Sequence, residues 1–220
     1  MTQPSQPRRD SLYPTRSSAG ALLGQQLASR GYNGAILLGI TPEGVEIAAN
    51  AAKAMGAPFD VLVASFIRLG SNLAPIGAIA ESVPSEMDPD FQPGANLLTK
   101  LEAAIGESRA RVSQDLVLYR TQRPVKSLKG RVAVIVDGQV IWPWKVLAAA
   151  KAADQLGATK TVIATPVATQ AAADRIHARR YEFLCPSVVM DATGHPSPYG
   201  DAAGDTPERL RSIMIAHQAA

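Results

Sequence analysis

The residues best placed to do chemistry in this chain stand in one run, Arg131-Val-Ala-Val-Ile-Val-Asp-Gly-Gln-Val-Ile-Trp-Pro-Trp-Lys145. Its first half reads as a buried parallel strand that delivers the Asp137 carboxylate to a sheet edge, where many α/β proteins hold a phosphate. Such a site needs small residues whose free backbone N–H groups converge on the anion at the next helix. After Gly138 the chain offers Trp142, Pro143 and Trp144 instead, and Pro143 has no N–H to give. Lys145 then supplies a point charge. Glu43 and Gly44 follow a second apolar run, and Ser65 and Arg68 close a third.

Each candidate also has a plain reading. Trp142 and Trp144 are packing residues, an exposed anchor for a partner protein, or a stacking platform for a ligand ring. Asp137 and Glu43 are two unclustered carboxylates, a weak basis for a metal site, and solvated or capping roles suit them better. His177, His195 and His217 are scattered without metal-ligand spacing. Cys185 follows Phe183 and Leu184, so it reads as packing; a lone cysteine forms no intramolecular disulfide and fits a reducing compartment. The cations from Arg109 to Arg131 are interleaved with Glu107 and Asp115 and read as a solvated face. No Gly-x-Ser-x-Gly, P-loop or Gly-x-Gly-x-x-Gly pattern is present.

These residues must be positioned by helices and strands that alternate along the chain. Helical spacing covers Thr15–Arg30, Gly44–Met55, Asn96–Leu118, Lys145–Leu156, Gln170–Arg179 and a last helix opened by Thr206-Pro-Glu. Apolar runs at 35–38, 60–66, 131–136, 161–165, 181–184 and 188–190 read as buried strands of one sheet, with 68–83 a loop or hairpin. Uniformly apolar strands alternating with helices predict a doubly wound α/β domain, its parallel sheet covered on both faces. The predicted organisation is a disordered arm over residues 1–14 and one domain over 15–220.

The 22 Lys and Arg residues exceed the 19 Asp and Glu by only three, so the charge argues against nucleic acid as the partner. The polar, proline-bearing start lacks a signal-peptide pattern, and no stretch approaches the ~20 apolar residues of a membrane span. The expected location is cytoplasmic, with no membrane contact.

Taken in order, several pieces resemble the phosphoribosyltransferase family, in its bacterial branch of small members. They are Ala19-Gly20 with Leu23, Met55-Gly-Ala-Pro-Phe-Asp-Val-Leu-Val, Gly77-Ala-Ile-Ala-Glu, Tyr119-Arg120 with Arg123-Pro124, Gly130-Arg-Val-Ala-Val-Ile-Val-Asp, and Tyr199 with Asp201. The resemblance runs from about Tyr13 to His217. It implies a small hood built from the N- and C-terminal segments, and the displacement of pyrophosphate from phosphoribosyl pyrophosphate by a nitrogen nucleophile, with Mg²⁺. It also implies that the loop carrying His195 lies over the active site.

Three departures stand against that activity. Gly138 occupies the place of the family's second acid, and Ile141-Trp-Pro-Trp-Lys145 replaces its phosphate-binding run. Pro42-Glu43-Gly44 replaces an Arg-Gly-Gly type turn, so Glu43 would repel the leaving group. Ala64-Ser65 replaces an Arg-Lys pair, with Arg68 nearby but out of register. Losing one such anion-stabilising donor costs about a hundred- to a thousandfold in rate. The expectation is a catalytically degenerate binding or assembly subunit, with the two tryptophans plugging an unused phosphate cradle. It would be a homodimer, joined through the 68–83 segment and the long helix, within a larger protein complex and with no cofactor. One alternative is a surviving enzyme that keeps Mg²⁺, Asp137 as metal or ribose ligand and Lys145 as phosphate contact. The other is a regulator that senses a nucleotide or binds nucleic acid.

Overall fold

The computed structural model describes residues 11–40, 42–120, 126–191, 197–201 and 206–218. Residues 1–10 of the expected arm lie outside the described residues, as do Arg123, Pro124 and His195. In chain order the elements are α1 (Arg16–Ser29), β1 (Ile36–Ile40), α2 (Glu43–Met55), β2 (Phe59–Leu62), β3 (Ala64–Ile67), β4 (Gly77–Ala80), β5 (Glu86–Met87), α3 (Leu98–Arg120), β6 (Val132–Val136), β7 (Gln139–Val140), α4 (Trp144–Gln155), β8 (Lys160–Ala164), β9 (Val167–Thr169), α5 (Gln170–His177), β10 (Glu182–Leu184), β11 (Ser187–Val189) and α6 (Pro207–Gln218). Local chemistry sets several ends. Thr15 and Ser18 form a capping box at the start of α1, Thr169 caps α5, and Gly56 ends α2 in the left-handed conformation at φ 62°.

β10, β8, β6, β1 and β2 form a five-stranded parallel sheet in that order. Every strand is apolar on both faces because both are covered. Leu37, Val61, Val134 and Val162 pack with α1, α2, α3 and α6, whereas Ile36, Leu38, Leu62, Ile135 and Ile163 pack with α4 and α5. The architecture is therefore a doubly wound α/β domain. The strand order reverses between β1 and β6, so the fold's binding crevice is expected between the loops that follow those two strands.

Two strand expectations are corrected. The run at 60–66 is not one strand but two, because the chain changes partners at Val63. Val63 N–H donates to Glu81 Oε1 at 3.0 Å, and beyond it β3 turns away to pair antiparallel with β4, which in turn pairs with β5. The strand at 188–190 does not finish the main sheet. β11, β9 and β7 form a second parallel sheet in which each strand continues a strand of the first after a break. The breaks fall at Asp137-Gly138, Thr165-Pro166 and Cys185-Pro186, and at the last two a proline without an N–H interrupts the ladder.

The terminal segments close over these breaks. Tyr13, assigned above to the arm, is 7% exposed and bridges Tyr199. The Tyr199 hydroxyl donates to the Gly138 carbonyl, and the Tyr13 hydroxyl donates to the Pro166 carbonyl at 3.1 Å while sharing a hydrogen bond with Ser187 at 2.9 Å. Asp201 accepts from the Arg16 backbone N–H at 3.1 Å, which ties the C-terminal segment to the start of α1. Each break is thus held by a tyrosine hydroxyl from the hood.

Candidate functional site

At the reversal point the two loops meet backbone to backbone. Gly44, in the first turn of α2, lies so close to the end of β6 that a Cβ there would stand 2.2 Å from the Val136 carbonyl oxygen. A Cβ on Gly138 would come within 2.8 Å of the Glu43 Cβ. The two glycines permit this approach because they carry no side chain. The Gly138 N–H, which an anion would otherwise use, is donated to Asp137 Oδ1 at 2.8 Å.

Asp137 is buried, and its other oxygen faces Lys145 Nζ at 3.4 Å. Lys145 is itself only 9% exposed, and its ammonium lies 5.1 Å from the centre of the Phe66 ring, a cation–π contact. Burial followed by the negative charge of Asp137 pushes the Tyr199 phenol far above its usual range, so it remains a hydrogen-bond donor. The acid of the opening strand is therefore neutralised from within the chain.

The two tryptophans part ways: Trp144 takes the packing reading and Trp142 the exposed one. Trp144, 2% exposed, turns into the core between the sheet and α5, with Arg175 stacked 5.3 Å from its ring centre. Trp142 is 41% exposed, and neither residue lines the neighbouring cleft. Pro143 is the cap position of α4 and makes no side-chain capping bond. At the switch point itself Glu43, Gly44 and Gly138 meet, with the Lys145–Asp137 pair beside them.

Beside this point opens a cleft of about 780 Å³. Pro42, Ser65, Phe66 and Arg68 form one side, one face of α3 the other, and Lys145 reaches it from α4. Arg68 also stacks 5.0 Å from the Phe66 ring centre and donates to the Leu73 carbonyl at 2.6 Å; burial lowers its guanidinium pKa. Five of the ten candidates, Asp137, Gly138, Lys145, Glu43 and Gly44, thus meet at the switch point, and Ser65, Arg68 and Lys145 meet at the cleft. The helix residues Lys100, Glu107, Ser108, Arg111 and Asp115 were missed as site residues. Nothing in the spacing of α3 set these residues apart, since small residues recur all along the helix, Gly106, Ala110 and Ser113 among them. Asp115 is half-buried, and burial pushes its carboxyl up against the opposing pull of Arg111.

Among the described residues no three His, Cys, Asp or Glu side chains gather, and Asp137 already faces an ammonium and a backbone N–H.

No family model matches the chain. A protein of Mycobacterium tuberculosis H37Rv named "Putative phosphoribosyl transferase Rv0571c" is 30% identical over 178 residues, 79% of this chain and 40% of that protein. The chain therefore spans well under half the length of the curated relatives it matches. A crystal structure of TT1426 from Thermus thermophilus superposes with a TM-score of 0.76 at 29% identity, covering 93% of this chain and 98% of that one. The AQ2163 protein from Aquifex aeolicus shares the fold at a TM-score of 0.51 and 11% identity, over 79% of this chain and 74% of that one. The chain belongs to the phosphoribosyltransferase family. Among the described residues no helix is long and apolar enough to cross a membrane.

Proposed function

We propose that this chain is a phosphoribosyltransferase-fold binding protein that has given up group transfer and acts as an assembly subunit, as a homodimer within a larger protein complex. The observation that carries the reading is the buried Lys145–Asp137 pair, which uses the surviving acid of the crevice as an internal counter-ion. Transfer from phosphoribosyl pyrophosphate needs a carboxylate free for ribose or metal and backbone donors free for phosphate. Here Asp137 faces Lys145, the Gly138 N–H is taken by Asp137, and Pro143 has no N–H. Separating Asp137 from Lys145 to admit a metal would leave a buried charge unpaired, which costs several kcal/mol. Trp142 and Ile141, exposed together after β7, support a protein partner, because exposed tryptophans are enriched where binding energy concentrates.

The test is calorimetric titration of phosphoribosyl pyrophosphate with Mg²⁺ into the purified protein, followed by an assay for pyrophosphate release with a panel of nucleobases. The expected result is no saturable heat at millimolar ligand and no release. Micromolar, Mg²⁺-dependent binding with turnover would establish the surviving-enzyme alternative instead.

A further inference from the structure

The two sheets share one border that has no neighbouring strand among the described residues. β10 ends the larger sheet and β11 the smaller, and β11 continues β10 past the Cys185-Pro186 break, so the two form a single edge. At the opposite edge of the larger sheet β2 is buried at every residue. From Tyr181 to Met190 Leu184 alone is buried, and Met190, at 82%, is the most exposed large hydrophobic side chain among the described residues.

The ladder fixes which backbone groups point outward. The Leu184 carbonyl accepts the Thr165 N–H at 3.1 Å, and the Ser187 N–H donates to the Pro166 carbonyl at 3.1 Å, so Leu184 and Ser187 turn their backbone groups inward. Successive residues of an edge strand alternate between the two sides, which turns the N–H and C=O groups of Phe183 and Val188 outward. Among the described residues those groups have no partner. An unpaired edge of this kind is a template for another strand.

We propose that this border joins two copies of the chain in an antiparallel ribbon, with a two-fold axis at the Cys185-Pro186 break. The inference rests on the homodimer reading above and names the surface that makes the dimer. A two-fold axis pairs the border with itself, so β10 of one copy meets β11 of the other. With the axis at the break, Phe183 faces the partner's Val188, and outward groups meet outward groups and exchange both N–H···O bonds. Phe183 lies level with Ile163 and Val188 with Ala168, on one face of the sheets, so a ring stands opposite a β-branched side chain, a favourable cross-strand pair. Met190 comes opposite Tyr181 and is covered. The exposed Arg180 and Asp191 stand level at both ends of the ribbon, opposite charges in the same register. Sliding the copies one way sets Glu182 against Asp191, two like charges; sliding them the other way sets Phe183 against Pro186, which has no N–H.

The test uses the full chain. Sedimentation velocity from about one to a hundred micromolar should show a monomer–dimer equilibrium. Val188→Pro removes an outward N–H and spares the inner ladder to β9, so the variant should keep its circular-dichroism spectrum while its dimer weakens about ten- to a hundredfold, the loss of a hydrogen bond from each copy. Asp191→Arg should weaken the dimer about three- to tenfold, and adding Arg180→Asp to the same chain should restore it, because the exchanged charges again face each other across the axis. That charge exchange keeps the register testable where the proline variant does not fold. A monomer at every concentration would overturn the proposal together with the homodimer reading, and would mark the border as blunted by its short strands and Pro186. A dimer indifferent to a folded Val188→Pro variant and to charge reversal would overturn the proposal alone and leave the homodimer reading standing. Neither result bears on the closed crevice, which the phosphoribosyl pyrophosphate titration reads separately.

Discussion

Gly44→Ala tests the contact that seals the switch point. In most helices this change is stabilising by roughly 0.5–1 kcal/mol, because alanine loses less backbone freedom on folding. Here the new methyl would sit 2.2 Å from the Val136 carbonyl oxygen and 3.0 Å from the Asp137 Cα, against ordinary contacts of 3.4 Å or more. Both obstacles are backbone of the central strand, which cannot swing aside as a side chain would. Overpacking of this kind costs about 1–3 kcal/mol, and backbone obstacles favour the upper end. The net expectation is a loss of about 1–2 kcal/mol, a fall in Tm of roughly 2–8 °C for a domain of this size. Gly106→Ala is the internal control, since it lies exposed within α3 and its added Cβ meets nothing within 4 Å. That variant should rise by roughly 1–4 °C. Thermal unfolding followed by circular dichroism reads both. A neutral or stabilised Gly44→Ala protein would refute the backbone-to-backbone contact and, with it, the physical basis of the closed crevice.

Two further outcomes are expected. Asp137→Asn keeps the shape of the side chain but leaves Lys145 as a buried unpaired cation, so it should cost about 3–5 kcal/mol, whereas Asp137→Asn with Lys145→Met recovers most of that loss. Chemical denaturation measures the cycle, and additive losses would show that the pair does not act as one. Burial pushes the Cys185 thiol up to about 11, from 9.0. Between those values the unfolded chain releases its proton and the folded chain keeps it, so the contribution is fully present below about pH 9 and is lost as pH rises through 11. At pH 8 an aromatic disulfide reagent should modify the native thiol far more slowly than the urea-unfolded one; equal rates would contradict the burial.

The element types of this protein were legible in its sequence because they depend on neighbours a few residues away. Apolar runs such as Val132–Val136 and the alanine-rich Trp144–Gln155 segment declare strand and helix by composition and spacing alone, and their alternation declares a covered parallel sheet. That Pro143 offers no N–H to an anion was legible too, since proline lacks one in any conformation. What filled the site was not. Trp144 and Lys145 are adjacent in sequence, but successive residues of a helix point about 100° apart, so one enters the core and the other the cleft. Which residue took which direction depended on where the β3–β4 hairpin and α5 pack around α4. The partner change at Val63 was hidden for the same reason, because the Glu81 carboxylate that accepts its N–H lies eighteen residues further along. Sequence alone determined the elements. The tertiary structure decided which side chains met. The order of strands brings Glu43 onto Gly138 from a distant part of the chain, and the packing of α4 against the sheet turns Lys145 back onto Asp137, contacts that no local periodicity encodes.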